Sequence, residues 1–228
     1  MDKKNIYRGR EIKYYDEFMS WRGPLLEDFN RTHKDYKDFF EMGGCPPHTP
    51  GGMRASMVIY KPAEMDVPVD YDGHMAKTSY VKELAEEAQS PWNTPENYPT
   101  VYNVIAKRFP ECVIGVYSML NPHSVITRHT GPENRDGIYV RIHIPLIVPD
   151  GDIGFEVACE TVDWSDLFAF NNQKVHSAWN NTELPRLVFI MDLPRSTLDM
   201  PKADAWDIHD VIHTPRFIKG EKPLRDFT

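Results

Sequence analysis

A mainly β architecture is expected, with a double-sheet jelly roll (a double-stranded β-helix) as its core and packing helices ahead of it. Three observations point there. From Cys112 onward the chain breaks into short runs rich in β-branched and aromatic residues; Asn, Gly, Pro or Asp separates them; and no helical pattern lies between them. Strands this closely spaced, with no helices to carry parallel crossovers, close into a sandwich or barrel.

The elements follow in order. Residues 1 to about 110 read as short helices and Pro-rich or Gly-rich loops: EFMSWRGPLLEDFNRTH, the loop CPPHTPGGM, then TSYVKELAEEAQ and PTVYNVIAKRF. Val81, Leu84 and Ala85 recur at helical spacing among acidic residues, the pattern of a helix that packs on one side. The strands expected next are CVIGVYSML, SVITRH, GIYVRIHIPLIV, GFEVACE, LFAFN, KVHSAW and RLVFIMDL. Within IYVRIHIPL the alternation sets Tyr139, Arg141 and His143 on one face and Ile138, Val140, Ile142 and Ile144 on the other. The charged, Pro-punctuated tail reads as a helix plus an extended arm. One domain over residues 1–228 is expected, with a support region at 1–110, the jelly roll at 111–195 and the tail at 196–228. No internal repeat or low-complexity tract interrupts it.

Composition removes several function classes. Asp plus Glu exceed Lys plus Arg by 34 to 26, a net charge of -8, and such a field repels a phosphate backbone. No nucleic-acid polymer is expected as partner. The three cysteines, Cys45, Cys112 and Cys159, are odd in number and lack CxxC spacing, which argues against a disulfide framework. The N-terminal MDKKNIYRGREIKYYDEF has no apolar signal core, and no run approaches the roughly 18 apolar residues of a membrane span. A soluble, cytoplasmic protein without membrane partners is the expectation.

Three groups of side chains have the chemistry of metal ligands. His209 and His213 stand at i, i+4 in DIHDVIH but lack the HExxH acid. Cys45 and His48 in CPPHTP have no second ligand pair at zinc spacing. His129 and His176 both fall in the strand-rich half. Iron(II) oxygenases hold the metal with a facial set, typically two histidines and a carboxylate, and leave positions open for cosubstrate and dioxygen. A chelating 2-oxo acid also needs a cationic anchor for its far carboxylate. Arg141 and His143 share a strand face, and Arg186 opens the last strong strand, PRLVFIMDL; the planar arginine fork gives a carboxylate two parallel hydrogen bonds. The plainer alternative makes the histidines ordinary strand-end residues, and Arg141 and His143 the wet face of a half-buried strand.

The runs SMLNPHSVITRHTGPENRDGIYVRIHIPLIVP and LFAFNNQKVHSAWNNTELPRLVFIMDL, the second with a Trp ahead of it, resemble the aspartyl/asparaginyl β-hydroxylase family of iron(II) and 2-oxoglutarate-dependent oxygenases. HTGP, R-x-H-x-P, VHSAWN and PRLVFIMD stand in the family's order and spacing over roughly residues 112 to 195; SPWNTPENYPT carries a weaker likeness. The resemblance implies a cupin-like jelly roll. It makes His129 the first iron ligand and His176 the second, Arg186 the clamp on the distal carboxylate of 2-oxoglutarate, and Ser118, Arg141 and His143 further cosubstrate contacts. Gly131 stands where most related oxygenases carry Asp or Glu, a glycine that is this family's own pattern, and water is expected at the third site. Glu133, four residues after His129, is expected to be turned elsewhere.

The implied cofactors are Fe(II), 2-oxoglutarate as cosubstrate and dioxygen. The implied reaction couples decarboxylation of 2-oxoglutarate to hydroxylation of an unactivated C–H bond. A small polar substrate is expected, such as a free or carrier-bound amino acid, with a peptide as the other possibility; the lack of a membrane anchor speaks against lipid. Arg128, Asn134, Arg135 and Trp179 are candidate substrate contacts, and Trp179 with Phe170 could line a dry pocket or serve as core. Chlorination on the same scaffold, with chloride at the acid-free iron position, and a non-catalytic jelly-roll binding module remain the alternatives.

Overall fold

The period-2 runs of the second half form antiparallel strands because each pairs its apolar face with a facing layer. The computed structural model describes residues 4–33, 52–61, 93–129 and 137–203. Strands β3 (Ile114–Leu120), β4 (Ser124–His129), β5 (Tyr139–Ile147), β6 (Ile153–Val157), β7 (Glu160–Val162), β8 (Phe168–Phe170), β9 (His176–Asn180) and β10 (Arg186–Pro194) follow the expected order. GFEVACE, expected as one strand, is two. Ala158 and Cys159 both take positive φ, 50° and 66°, and reverse the chain between β6 and β7.

Two further strands come from the first half. β1 (Ile6–Arg8) pairs with β8, and β2 (Met53–Tyr60) pairs with β3. This corrects the expectation that residues 1–110 contribute only helices and loops. The described strands build a six-stranded sheet, ordered β1-β8-β5-β10-β3-β2, and a four-stranded sheet, ordered β4-β9-β6-β7.

Helices α1 (Tyr15–Ser20) and α2 (Arg22–Thr32) cover the outer face of the larger sheet, together with a π turn at Val101–Ile105 that runs into α3 (Ala106–Arg108). Val140, Ile142, Ile144 and Leu146 of β5, and Leu187, Phe189, Met191 and Leu193 of β10, pack there with Leu25, Phe29 and Ile105. The opposite residues of the same strands look toward the smaller sheet. Val188 and Leu120 of the larger sheet meet Ile126, Phe155, Val157 and Ala178 of the smaller one in a second apolar layer, with Phe168 and Phe170 between them.

The alternation expected for β5 holds for Val140, Ile142 and Ile144, whereas Ile138, expected on the same apolar face, precedes the strand and is 42% exposed; the face carrying His143 is not wet. His143 is only 4% exposed because that face lies between the sheets. After β10 the chain makes a 3-10 turn at Arg195–Leu198, and Ala203 hydrogen-bonds back to Gly137. Cys45, His48, the segment TSYVKELAEEAQ, the pair His209 and His213 and the rest of the expected tail lie outside the described residues. Among the described residues no helix is long and apolar enough to cross a membrane.

Candidate active site

The site is assembled where β9 and β4 of the smaller sheet face β5, β10 and β8 of the larger one. A β-bulge sets the first pairing. Between Ile126 and His129 strand β4 takes three steps while β9 takes two, so His129, and not Arg128, is the register partner of His176. The two candidate metal-binding residues thus sit directly across from one another in the backbone.

His176 is buried, and its ring Nδ1 lies 2.7 Å from the carbonyl oxygen of Lys174. A carbonyl can only accept, so Nδ1 carries the proton, and in the neutral ring the lone pair falls on Nε2, where it could bind a metal. The loop that supplies this carbonyl is itself pinned: the Lys174 amide donates to the Asn171 carbonyl, and the Gln173 amide to the Asn171 side chain at 3.2 Å. The rings of Phe170 and Phe155 stand 5.0 and 5.9 Å from that of His176.

The larger sheet contributes the basic groups. Arg186 is 1% exposed, and among the described residues no carboxylate lies against it. Its one hydrogen bond among them is a long donation, 3.5 Å, to the Ser118 carbonyl, and its Nε has no partner there. Burial pushes its guanidinium down to about 9. Ser118 is buried on β3 opposite Val188, two residues along from Arg186. His143 has no hydrogen-bond partner among the described residues on either ring nitrogen. Burial, reinforced by the charges of Arg186 and Arg141, holds it well below the ordinary histidine range, so the ring is neutral. It shares Phe155 and Phe170 with His176, each ring 5.3 Å from its own.

These orphaned polar atoms decide what the site can hold. A buried guanidinium without a counter-ion and an unpaired neutral imidazole are costly unless a ligand completes them. A dicarboxylate would supply the missing acceptors, and His176 with His129 would hold the metal that its 2-oxo acid end chelates. The residues fit iron(II) with 2-oxoglutarate.

The other expected residues are placed differently. Arg141 donates from Nε and one terminal nitrogen to Asp192, its register partner on β10, at 2.9 and 2.7 Å. Arg128 reaches Glu156 at 3.1 Å, and Glu156 is the register partner of Ser177, one residue off the His176 face. Trp179 alternates with Ala178 on the opposite face of β9; its Nε1 donates to Asp152 at 3.0 Å and its ring covers Gly154. Phe170 therefore lines the site and Trp179 does not. Asn134, Arg135, Gly131 and Glu133 lie outside the described residues.

Trp164 entered the sequence reading only as part of the family resemblance and was given no role, yet it is in contact with both Arg186 and His143. The Arg186 guanidinium carbon lies 4.3 Å over its ring, and His143 is stacked on it at 5.4 Å and 28°. A lone large aromatic inside the polar turn DWSD was the available signal. Asp192 was also missed, because its pairing with Arg141 is set by the register of β5 and β10.

The family model for aspartyl/asparaginyl β-hydroxylase matches residues 78–196. The human aspartyl/asparaginyl β-hydroxylase is 30% identical over 96 residues, which is 39% of this chain and 12% of that protein. The ornithine lipid ester-linked acyl 2-hydroxylase of Rhizobium tropici is 27% identical over 118 residues, 50% of this chain and 41% of that one. The chain thus spans less than half the length of either relative. Among solved structures, a Pseudomonas putida prolyl-4-hydroxylase is 9% identical, covering 84% of this chain and 93% of its own at a TM-score of 0.43. A cupin-like protein from Thermotoga maritima is 11% identical, covering 78% and 94% at 0.32.

Proposed function

This chain belongs to the aspartyl/asparaginyl β-hydroxylase family, and from that premise we propose that it is an Fe(II)/2-oxoglutarate-dependent dioxygenase that hydroxylates an unactivated C–H bond of a small polar molecule, such as a free or carrier-bound amino acid. The observation that carries the reading is Arg186, a fully buried guanidinium with no carboxylate among the described residues. When bound, iron(II) and 2-oxoglutarate supply the oxidising chemistry with dioxygen, and the cosubstrate leaves as succinate and carbon dioxide.

The chain's own part is binding, orientation and exclusion of water. Arg186 takes the distal carboxylate with its planar fork. His143, kept neutral, offers one N–H and one lone pair beside it. His176 presents Nε2 because Lys174 holds its other nitrogen, and His129 is its partner across the bulge. Phe155, Phe168 and Phe170 form an apolar wall between His143 and His176, which strengthens each electrostatic contact inside it. Arg141 is held by Asp192 on the same face of β5 as His143.

The test is incubation of the protein with iron(II), 2-oxoglutarate and a panel of amino acids, peptides and acyl esters, reading succinate and product mass. The acyl esters belong in that panel because the Rhizobium relative is named for an ester-linked acyl chain. Succinate release is expected in step with a product heavier by one oxygen, and His129→Ala, His176→Ala and Arg186→Ala should each lower it by at least about a hundredfold, the scale of losing a metal ligand or a buried charge pair. Full turnover in all three variants would remove the site assignment. A product in which chlorine replaces hydrogen would move the protein to the halogenating alternative.

A further inference from the structure

Trp164 sits on the connection that crosses from β7 of the smaller sheet to β8 of the larger one. The turn is fixed on both sides. Ser165 donates its amide and its hydroxyl to the Asp163 carboxylate at 2.8 Å each, and Asp166 accepts from the Tyr15 hydroxyl at 2.7 Å. Trp164 is thereby driven into the layer between the sheets, 2% exposed, with Phe155 and Phe168 edge-on to it at 5.2 and 5.3 Å.

Two features of that ring exceed what packing requires. Its face lies 4.3 Å from the Arg186 guanidinium carbon, and its Nε1, although buried, has no acceptor among the described residues. Buried indole N–H groups ordinarily find partners. Arg186 Nε and both His143 nitrogens are also without partners among the described residues, so each of three adjacent side chains holds an N–H that lacks an acceptor. A carboxylate held by the guanidinium is brought close to the indole, because the guanidinium and the ring are in contact.

We infer that Trp164 is a positioning and binding residue of the cosubstrate site, its ring fixing the plane of the Arg186 fork and its indole N–H donating to the carboxylate that the fork holds. The inference rests on the dicarboxylate reading of the site. Cation–π contact restricts a guanidinium to one plane, and a pre-oriented fork loses less freedom on binding.

The test is titration of 2-oxoglutarate into the full chain by calorimetry, with thermal melting of each ligand-free protein alongside. Trp164→Phe keeps a ring over Arg186 and removes the N–H; it should weaken binding about tenfold, the worth of one hydrogen bond to a charged group. Trp164→Leu removes both and should weaken it further, toward a hundredfold. A purely structural tryptophan behaves in the opposite way, with affinity retained and stability lost. Ligand-free Trp164→Phe should melt no lower than the parent, since it discards an unpaired buried donor. If Arg186→Met abolishes binding while both Trp164 variants bind as the parent does, the inference is overturned and the dicarboxylate reading stands. If the parent itself does not bind 2-oxoglutarate, both fall.

Discussion

A buried guanidinium with no counter-ion opposes folding by an amount on the order of several kcal/mol, far more than one long hydrogen bond returns. Among the described residues Arg186 is such a group: 1% exposed, donating at 3.5 Å to a carbonyl, and pushed down to about 9 by burial. Its stack on Trp164 offsets only part of that cost. Replacing it with an apolar side chain of similar length should therefore stabilise the ligand-free protein. Arg186→Met is expected to raise the unfolding free energy by about 1–4 kcal/mol, as removal of other buried ions does, measured by urea denaturation. The same variant should show no rise in melting temperature when 2-oxoglutarate is added, whereas the parent should rise with its concentration. A variant less stable than the parent would mean that Arg186 serves packing first. The opposed signs follow from one cause: the charge is kept for a ligand and not for the fold.

Strand β9 shows how one element separates two duties. His176, Ala178 and Asn180 face inward, while Trp179 lies on the opposite face of the strand, buried, where its ring occupies the space above Gly154. A Cβ added at Gly154 would stand 2.0 Å from that ring, closer than any real contact. Gly154→Ala should thus displace Trp179 from its bond to Asp152 and cost about 1–3 kcal/mol, visible as a lowered urea midpoint and a changed near-ultraviolet tryptophan signal. An unchanged midpoint would show that the ring yields freely. Such strands were legible in the sequence because each buries one face or both, and alternation or an unbroken apolar run reports that directly. β1 and β2 were not: IYR is too short to show a period, and MRASMVIY alternates weakly because a bulge between Met57 and Ile59 breaks its register. The turn inside GFEVACE was hidden because Ala158 and Cys159 adopt positive φ without glycine or asparagine to mark it. At the candidate site, His176, His143 and Arg186 were singled out through the family resemblance of the motifs that hold them. The bulge that aligns His129 with His176 and the pairing of Arg141 with Asp192 could not, since both are properties of register.

The N-terminal helices are tied to the sheets through a polar contact that depends on pH. His33 ends α2, is buried against Phe29, and its Nε2 lies 3.1 Å from the Tyr98 hydroxyl, which in turn lies 3.3 Å from the Ser56 hydroxyl on β2. Three distant parts of the chain meet there, so the protonation state of one imidazole acts on the docking of the whole helical layer. Burial pushes His33 down to about 4, against an ordinary value near 6.5. The sign follows from proton counting: between those two values the unfolded chain binds the proton and the folded one does not, so stability falls as pH drops through 6.5 and is fully lost below 4. The stabilisation withdrawn amounts to about 2 kcal/mol at pH 5 and about 3 kcal/mol by pH 4. Urea unfolding of the parent between pH 7.5 and 5, above the range in which ordinary carboxylates titrate, should show that decline. His33→Gln keeps a side-chain donor within reach of Tyr98 but cannot titrate, so its stability should be lower than the parent's at neutral pH and nearly flat over the same interval. Equal slopes for the two proteins would place the acid sensitivity elsewhere.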